Sequence, residues 1–212
     1  MKVKICGVTT RDAAITACRS GADMLGFVFA ESPRKISLER AKEIAGLLPE
    51  HIKITGVFVN ETAETILRIS EWVNLDYVQL HGDETPEFCR QLGVPVIKAL
   101  TIREKSDIKK MRIYDCDYFL LDSPGVRYAG GSGNPFDWSL LKDTGIPREK
   151  VILAGGLNEK NVGEAIRIVS PAMVDVSSGV ETNGKKDLKK ITSFIKAAKG
   201  REKDVSLYIT GQ

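Results

Sequence analysis

Short apolar runs alternate along the chain with longer segments in which apolar residues recur at helical spacing. Runs of this length, rich in Val, Ile, Leu and Phe, are typical of buried parallel strands. The predicted strands are Val3 to Cys6, Met24 to Phe29, Lys53 to Val59, Tyr77 to Leu80, Val94 to Ala99, Tyr118 to Leu121, Val151 to Ala154 and Met173 to Val176. The predicted helices are Arg11 to Ser20, Leu38 to Leu48, Glu64 to Trp72, Pro86 to Gln91, Glu104 to Met111, Trp138 to Lys142, Glu159 to Val169 and Leu188 to Lys199.

Residues at the ends of the predicted helices support these boundaries. Thr10, Ser37 and Asn158 each place a side-chain oxygen just before a helical segment, where it can accept a hydrogen bond from an orphan backbone N–H. Gly21 follows the first helix and provides a stop signal.

Eight consecutive βα units predict an α/β protein of the (β/α)₈ TIM barrel class, built as a single domain. The chain has 212 residues, fewer than the usual figure of about 250 for such barrels. A doubly wound open sheet is the alternative, but open sheets seldom reach eight repeats without an inserted edge element. We assign residues 1–200 to the catalytic barrel and leave 201–212 as a C-terminal tail of unknown structure.

Composition points to a small-molecule partner. The chain is 42% hydrophobic and carries 31 basic and 28 acidic residues, for a formal charge of +3, which gives no reason to expect nucleic acid or a membrane surface. No leader segment or long apolar stretch is present, so we expect a soluble cytoplasmic protein. The cysteines, Cys6, Cys18, Cys89 and Cys116, are widely spaced and accompany only two histidines. Neither a metal site nor a disulfide framework is therefore predicted.

In a barrel of this class the chemistry lies at the C-terminal ends of the strands, and two small-residue loops stand out there. Gly155 and Gly156 follow the seventh strand, and Ser177, Ser178 and Gly179 follow the eighth. Glycines let the backbone approach a ligand closely, and loops after strands seven and eight frequently bind phosphate. Either loop alone could be only a tight turn, but the two together predict a phosphate site.

Two ionisable groups end strands near that site. Cys6 closes the first strand and Asp122 follows the sixth, so a ligand held at strands seven and eight would lie between thiol and carboxyl. This placement suits a general base and a general acid. The alternatives are that Cys6 is an apolar filler and that Asp122 caps a loop.

Three further loops supply candidate substrate-binding residues. Arg34, after the second strand, can bind a carboxylate through two parallel hydrogen bonds or be merely solvated. His81, after the fourth strand, can orient a ligand, carry a proton or anchor its loop. Gly130 and Gly131 give the loop after the sixth strand the flexibility of a lid. Asp175, in the last strand, is a further candidate substrate-binding residue.

Ordered motifs follow nearly every predicted strand. The motifs are Lys4-Ile5-Cys6-Gly7-Val8-Thr9, Gly26-Phe27-Val28-Phe29, Gly56-Val57-Phe58-Val59-Asn60, Gln79-Leu80-His81-Gly82, Leu120-Leu121-Asp122, Gly130-Gly131-Ser132-Gly133, Phe136-Asp137-Trp138, Gly155-Gly156-Leu157 and Asp175-Val176-Ser177-Ser178-Gly179-Val180-Glu181. From Lys2 to about Gly200 the chain, through these motifs, resembles the phosphoribosylanthranilate isomerase family.

The resemblance implies a (β/α)₈ barrel that performs an Amadori rearrangement in tryptophan biosynthesis without a cofactor. N-(5-phosphoribosyl)anthranilate would become 1-(2-carboxyphenylamino)-1-deoxyribulose 5-phosphate. It further implies that Cys6 is the general base, Asp122 the general acid and Arg34 the partner of the anthranilate carboxylate. Because the base must be a thiolate, we expect backbone N–H dipoles near the first strand to favour that form.

Some features depart from the family pattern or leave other functions open. Asn134 stands where relatives often carry lysine, and the tail beyond Gly200 is longer than expected. The related isomerase of histidine biosynthesis would have aspartate in place of Cys6 and a second phosphate site. A phosphosugar-binding module without turnover, or a covalent thiol nucleophile, are further alternatives. The sequence does not distinguish a monomer from a homodimer.

Overall fold

The computed structural model describes residues 1–124, 135–142 and 144–200. Eight parallel strands form its centre: β1 (Lys2–Cys6), β2 (Met24–Val28), β3 (Lys53–Phe58), β4 (Tyr77–Leu80), β5 (Val96–Thr101), β6 (Tyr118–Asp122), β7 (Val151–Leu153) and β8 (Met173–Val176). The α-helices between and after them are α1 (Arg11–Ser20), α2 (Leu38–Ala45), α3 (Ala63–Val73), α4 (Pro86–Gln91), α5 (Lys105–Lys109), α6 (Val162–Val169) and α7 (Leu188–Lys199). A short antiparallel hairpin, β9 (Glu181–Thr182) and β10 (Lys185–Lys186), precedes α7.

The sheet closes on itself, because β1 pairs in parallel with both β2 and β8. The predicted (β/α)₈ barrel is therefore confirmed, and the open-sheet alternative is wrong. Closure places Lys4 of β1 opposite Asp175 of β8, and Cys6 opposite Gly26 of β2. Residues that are far apart in sequence thus become neighbours at one end of the barrel.

Alternation along the strands separates two apolar layers. In β2, Leu25 and Phe27 join the large cluster that packs against the helices, whereas Met24 joins a smaller cluster with Ile97 and Ile152. Successive residues of a strand face opposite sides, so the large cluster lies between the strands and the helices and the small one fills the barrel interior. Burial on both faces explains why the strands are apolar runs.

Most helix boundaries agree with the predicted signals. Thr10 and Ser37 accept hydrogen bonds from Ala13 N and Arg40 N, and Gly21 ends α1 in the left-handed region at φ 96°. Asn158 is not the cap of α6, because its side chain instead accepts from Lys160 N and the helix begins only at Val162.

The sixth predicted helix and the fifth predicted strand also differ from expectation. Trp138–Leu141 forms a single turn of 3₁₀-helix rather than an α-helix. β5 begins at Val96, not Val94, because Pro95 has no N–H to donate to the sheet; its carbonyl accepts from Val78 N. The tail 201–212 lies outside the described residues, so its assignment stays a prediction.

No helix in the described ranges is long and apolar enough to cross a membrane. The same ranges contain no group of three or more His, Cys, Asp or Glu side chains that could hold a metal ion.

Candidate active site

A cavity of about 370 Å³ opens at the C-terminal ends of the barrel strands. Its walls contain nearly all of the residues predicted for the site: Cys6, Arg34, His81, Asp122, Gly155, Gly156, Asp175, Ser177, Ser178 and Gly179. Apolar side chains, among them Val28, Val57 and Val176, complete the lining. Gly130 and Gly131 lie outside the described residues, so their predicted role stays a prediction.

Cys6 lies at the floor of this cavity beside a buried lysine. A Cβ added to Gly26 would lie 3.0 Å from Cys6 Sγ and 3.3 Å from Lys4 Nζ, so thiol and ammonium are close neighbours across the bare face of that glycine. Lys4 is fully buried and its Nζ donates to Asp175 Oδ1 at 2.9 Å. The lysine is thus held by a carboxylate on one side and faces the sulfur on the other.

The protonation of Cys6 reflects opposing influences. Burial is the largest and raises the pKa of the thiol; Lys4 and Lys186 lower it, Asp175 raises it, and the net pKa is above the ordinary value. For Lys4, burial lowers the pKa, but Asp175 and Cys6 raise it more, so the ammonium stays charged. The charges that favour the thiolate are the ammonium groups of Lys4 and Lys186, and the expected contribution of backbone N–H dipoles stays a prediction.

Asp122 ends β6 and contacts His81 from β4. Asp122 Oδ2 is 3.4 Å from His81 Nε2, and its Oδ1 accepts a hydrogen bond of 2.8 Å from Ser123 N. Gln79 Nε2 lies 3.0 Å from His81 Nδ1. Because the amide nitrogen of Gln79 can only donate, His81 Nδ1 is the acceptor of this hydrogen bond. In the neutral ring the hydrogen is therefore on Nε2 and points to Asp122.

A second buried ion pair fixes the loop that carries His81. Lys98 Nζ donates to Glu84 Oε2 and to Gly82 O, both at 2.7 Å. Glu84 in turn accepts from the backbone N–H groups of Gly82 and Asn60. Because Lys98 and Glu84 have side chains only 2% and 3% exposed, this pair ties the loops after β3 and β4 to the barrel interior.

Arg34 meets a carboxylate within the protein. Its Nε and Nη2 donate to the two oxygens of Glu181 at 2.7 and 2.8 Å. This side-on pair raises the pKa of the guanidinium, chiefly through the hydrogen bond to Glu181. Hydrogens of Nη1 and one of Nη2 remain at the opposite edge, which can still bind a ligand carboxylate with two parallel bonds.

The glycine loops after β7 and β8 are packed so closely that side chains are excluded. Gly155 has φ +80°, and a Cβ there would collide with the Ser123 hydroxyl. A Cβ on Gly179 would collide with the Leu157 carbonyl oxygen. Since both positions require glycine, the two loops form a backbone-lined wall of the cavity, as the sequence predicts for a phosphate site.

Comparison of the sequence with known proteins identifies a family whose members it resembles over nearly its whole length. Residues 3–197 match the family described as N-(5'phosphoribosyl)anthranilate (PRA) isomerase. The chain belongs to this isomerase family. A Bacillus cereus (strain G9842) protein named N-(5'-phosphoribosyl)anthranilate isomerase is 56% identical over 198 residues, which cover 92% of this chain and 96% of the relative. Its Bacillus mycoides (strain KBAB4) namesake is 56% identical over 202 residues, covering 94% and 98%.

Solved structures of the isomerase family have the same fold. Phosphoribosyl anthranilate isomerase from Thermotoga maritima aligns with a TM-score of 0.85 at 44% identity, over 94% of this chain and 98% of that one. A family member in complex with reduced 1-(o-carboxyphenylamino)-1-deoxyribulose 5-phosphate aligns with a TM-score of 0.82 at 42% identity and the same coverage. Family membership leaves no basis for the histidine-pathway alternative.

Sequence reasoning missed several residues that support the isomerase site. Lys4, Lys98 and Lys186 are buried basic residues; Glu84 pairs with Lys98 and Glu181 with Lys186, whereas the partner of Lys4 is the predicted Asp175. One signal was available, because a lysine in the middle of an apolar strand must find a buried partner. That signal applies to Lys4 in β1 and Lys98 in β5, but not to Lys186, which lies in a polar segment.

Proposed function

We propose that the chain catalyses the Amadori rearrangement of N-(5-phosphoribosyl)anthranilate to 1-(2-carboxyphenylamino)-1-deoxyribulose 5-phosphate, with Cys6 as general base and Asp122 as general acid. The observation that carries this proposal is that thiol and carboxyl line one cavity. Strands β7 and β8, with their glycine loops, lie between the strands that bear the two groups. A sugar whose phosphate is bound at those loops is therefore flanked by both.

The two anionic ends of the substrate have separate sites in this arrangement. The phosphate binds to the backbone-lined wall formed by Gly155, Gly156 and the Ser177–Gly179 loop. The anthranilate carboxylate binds the outer edge of Arg34, whose inner edge pairs with Glu181. Asp175 offers its Oδ2 to the substrate, since Oδ1 accepts from Lys4.

Proton transfer then follows from position. Asp122 donates a proton to the ring oxygen of the ribose, and the ring opens to a Schiff base. Cys6, as thiolate, removes the proton from C2 of the sugar. The resulting enolamine tautomerises to the ketone, so one proton is delivered and one is taken in each turnover. His81 positions Asp122 through its Nε2 contact.

The test follows substrate fluorescence with the wild type, Cys6→Ala and Asp122→Asn side by side. Loss of a positioned acid or base costs about 10² to 10⁴ in rate, so each variant should lose that much of kcat with folding intact. Cys18→Ala is the matched control, because Cys18 lies in α1, away from the cavity lining. Full activity in Asp122→Asn would refute its assignment as acid.

The same experiment separates the other mechanisms. A phosphosugar-binding module would shift the fluorescence and then hold it constant. A covalent thiol adduct would add the mass of the sugar to the intact protein after mixing. Under the proposed mechanism the fluorescence decays fully and the protein mass does not change.

We also infer that the protein works in the cytoplasm, because Cys6 must stay a thiol and a reducing compartment maintains it so. Cell fractionation with antibody detection tests this. The protein is a monomer or a homodimer, and sedimentation velocity at several concentrations distinguishes the two. A related Thermotoga maritima enzyme is described as dimeric.

A further inference from the structure

A lysine outside the predicted site is buried against it. The hairpin of β9 and β10 follows the loop after β8 and returns the chain so that Lys186 points inward, with its side chain only 3% exposed. The preceding residue, Lys185, belongs to the same two-residue strand but is exposed. Two adjacent lysines therefore have opposite environments.

Lys186 Nζ connects two parts of the site. It donates to Glu181 Oε1 at 2.6 Å, to Ser177 O at 3.0 Å and to Ser177 Oγ at 3.3 Å. Three contacts match the three donors of an ammonium group. One contact reaches the carboxylate that binds Arg34, and two reach the loop after β8.

Glu181 is the centre of this network. Arg34 binds it side-on, and Lys186 binds one of the same oxygens. Burial raises the pKa of Glu181, but Arg34 and Lys186 lower it more, so the carboxylate remains ionised between two cations. A long arginine side chain held at two atoms in this way presents its remaining edge in one direction.

The charges around Cys6 add a second, independent argument. Lys4 lies beside the thiol, and a Cβ on the residue after Cys6, Gly7, would lie 2.7 Å from Arg34 Cδ and 3.3 Å from Ser177 Oγ, the hydroxyl that Lys186 contacts. Each of these three cations interacts favourably with a Cys6 anion. Asp175 and Glu181 offset two of them. One positive charge is left over among these groups, and it favours a thiolate at Cys6 against the opposing effect of burial. Burial is the largest influence on Lys186 and, together with Arg34, lowers its pKa below the ordinary value, although Glu181 and Cys6 raise it.

We propose that Lys186 is a positioning residue of the isomerase site: it holds Glu181, and through it Arg34, at a fixed place relative to the Ser177 loop, and it stabilises the Cys6 thiolate. The inference about Lys186 rests on the proposed function only for the identity of the substrate. The two ends that Lys186 connects are those that receive the carboxylate and the phosphate, so it sets the distance between the two anion sites.

The experiment compares Lys186→Met and Lys186→Arg with Lys185→Met, the matched control on the same hairpin. Thermal unfolding first checks that each variant is folded. Misplacing binding groups by about 1 Å can cost about 10²-fold, and we expect kcat/KM of Lys186→Met to fall by about ten- to a hundredfold. KM rises because the two anion sites are displaced, and kcat falls because less of the Cys6 thiolate is present. Lys186→Arg should recover part of this, and Lys185→Met should equal the wild type.

A second measurement does not depend on turnover. The rate at which iodoacetamide alkylates Cys6 in the unliganded protein is followed against pH, with the Cys6 peptide identified by mass spectrometry. Removing a neighbouring positive charge disfavours the thiolate, so the midpoint moves to higher pH in Lys186→Met. At pH 7.5 the rate should fall about three- to tenfold, since one pKa unit corresponds to a factor of ten.

The outcomes are distinct. If the alkylation curve and KM of Lys186→Met coincide with those of Lys185→Met, the inference about Lys186 is wrong although the isomerase activity stands. If the wild type does not consume the fluorescent substrate while the alkylation midpoint still shifts, the proposed function fails and the charge effect remains. Should Lys186→Met not fold, Lys186→Arg and Lys186→Gln are measured in the same way, and identity of both with the control would overturn the inference.

Discussion

Replacing Gly155 with alanine tests the claim that the proposed phosphate-binding loop after β7 is packed against the segment that carries the proposed acid, Asp122. Gly155 has φ +80°, a region that residues with a Cβ rarely adopt, and its Cβ would collide with the Ser123 hydroxyl and approach Ser123 Cβ to 2.9 Å. The substitution therefore adds two penalties at one position. One is backbone strain and the other is overlap with the residue that follows Asp122, the proposed general acid.

The magnitude follows from these two terms. A non-glycine residue in the left-handed region costs about 1–2 kcal/mol, and overpacking a well-filled site typically costs about 1–3 kcal/mol. The sum is about 2–5 kcal/mol. For a domain of this size each kcal/mol lowers Tm by about 2–4 °C, so Gly155→Ala should unfold roughly 4–20 °C below the wild type.

Activity should fall as well, for a reason that stability alone does not give. Ser123 N donates to Asp122 Oδ1 at 2.8 Å, so displacing Ser123 shifts the carboxyl that we propose as the proton donor to the ring oxygen. A shift of about 1 Å in a reacting group can cost about 10²-fold. We expect this loss in kcat at a temperature where the variant is still folded.

Gly93→Ala is the control for the backbone term. Gly93 has φ +63° but nothing lies within 4 Å of an added Cβ. Calorimetry and fluorescence turnover of both variants are compared. Gly93→Ala should lose about 1–2 kcal/mol and keep its kcat. Equal losses of stability in the two variants, or full kcat in Gly155→Ala, would refute the close packing of Gly155 against Ser123.

Two further predictions concern protonation and the buried ion pairs. Burial raises the pKa of the Cys6 thiol despite the opposing effect of Lys4. We therefore expect kcat/KM to rise with pH through the neutral range and to level off only above the ordinary thiol pKa. A pH profile of kcat/KM that is already flat at pH 7 would contradict this. Lys98→Met leaves Glu84 buried without its partner, so the free energy of unfolding measured by urea titration should fall by about 3–5 kcal/mol. If the double variant Lys98→Met with Glu84→Leu is as unstable as Lys98→Met alone, the unpaired charge is not the cause.

The barrel was predictable because its strands are buried on both faces. Such strands are mostly apolar runs even where a single lysine interrupts them, as in β1 and β5. Eight of them separated by helical segments leave few topologies. The errors have local causes. A segment of five residues such as Trp138 to Lys142 is too short for its pattern to distinguish an α-helix from a 3₁₀ turn. Asn158 and Asn161 compete for one helix start, and only the folded loop decides that the helix begins after Asn161.

The residues at strand ends were predictable for a different reason. In a closed parallel barrel all C-terminal ends meet at one rim, so Cys6, Asp122 and the Gly155 loop must converge whatever their sequence separation. Their charged partners are not fixed by this rule. Glu181 reaches Arg34 across 147 positions of sequence through a hairpin that carries no apolar pattern, and polar two-residue strands give no periodic signal.

The pattern along β1 contains more information than its apolar character. Side chains two positions apart in a strand share a face, so Lys4 must point to the same side as Cys6, and a lysine on the buried face of an apolar strand requires an anionic partner. The sequence alone therefore places a cation next to the thiol. It does not identify Asp175 as the partner, because that pair forms across 171 positions only when β8 closes on β1. Closure of the barrel thus completes both the core and the electrostatic environment of the base.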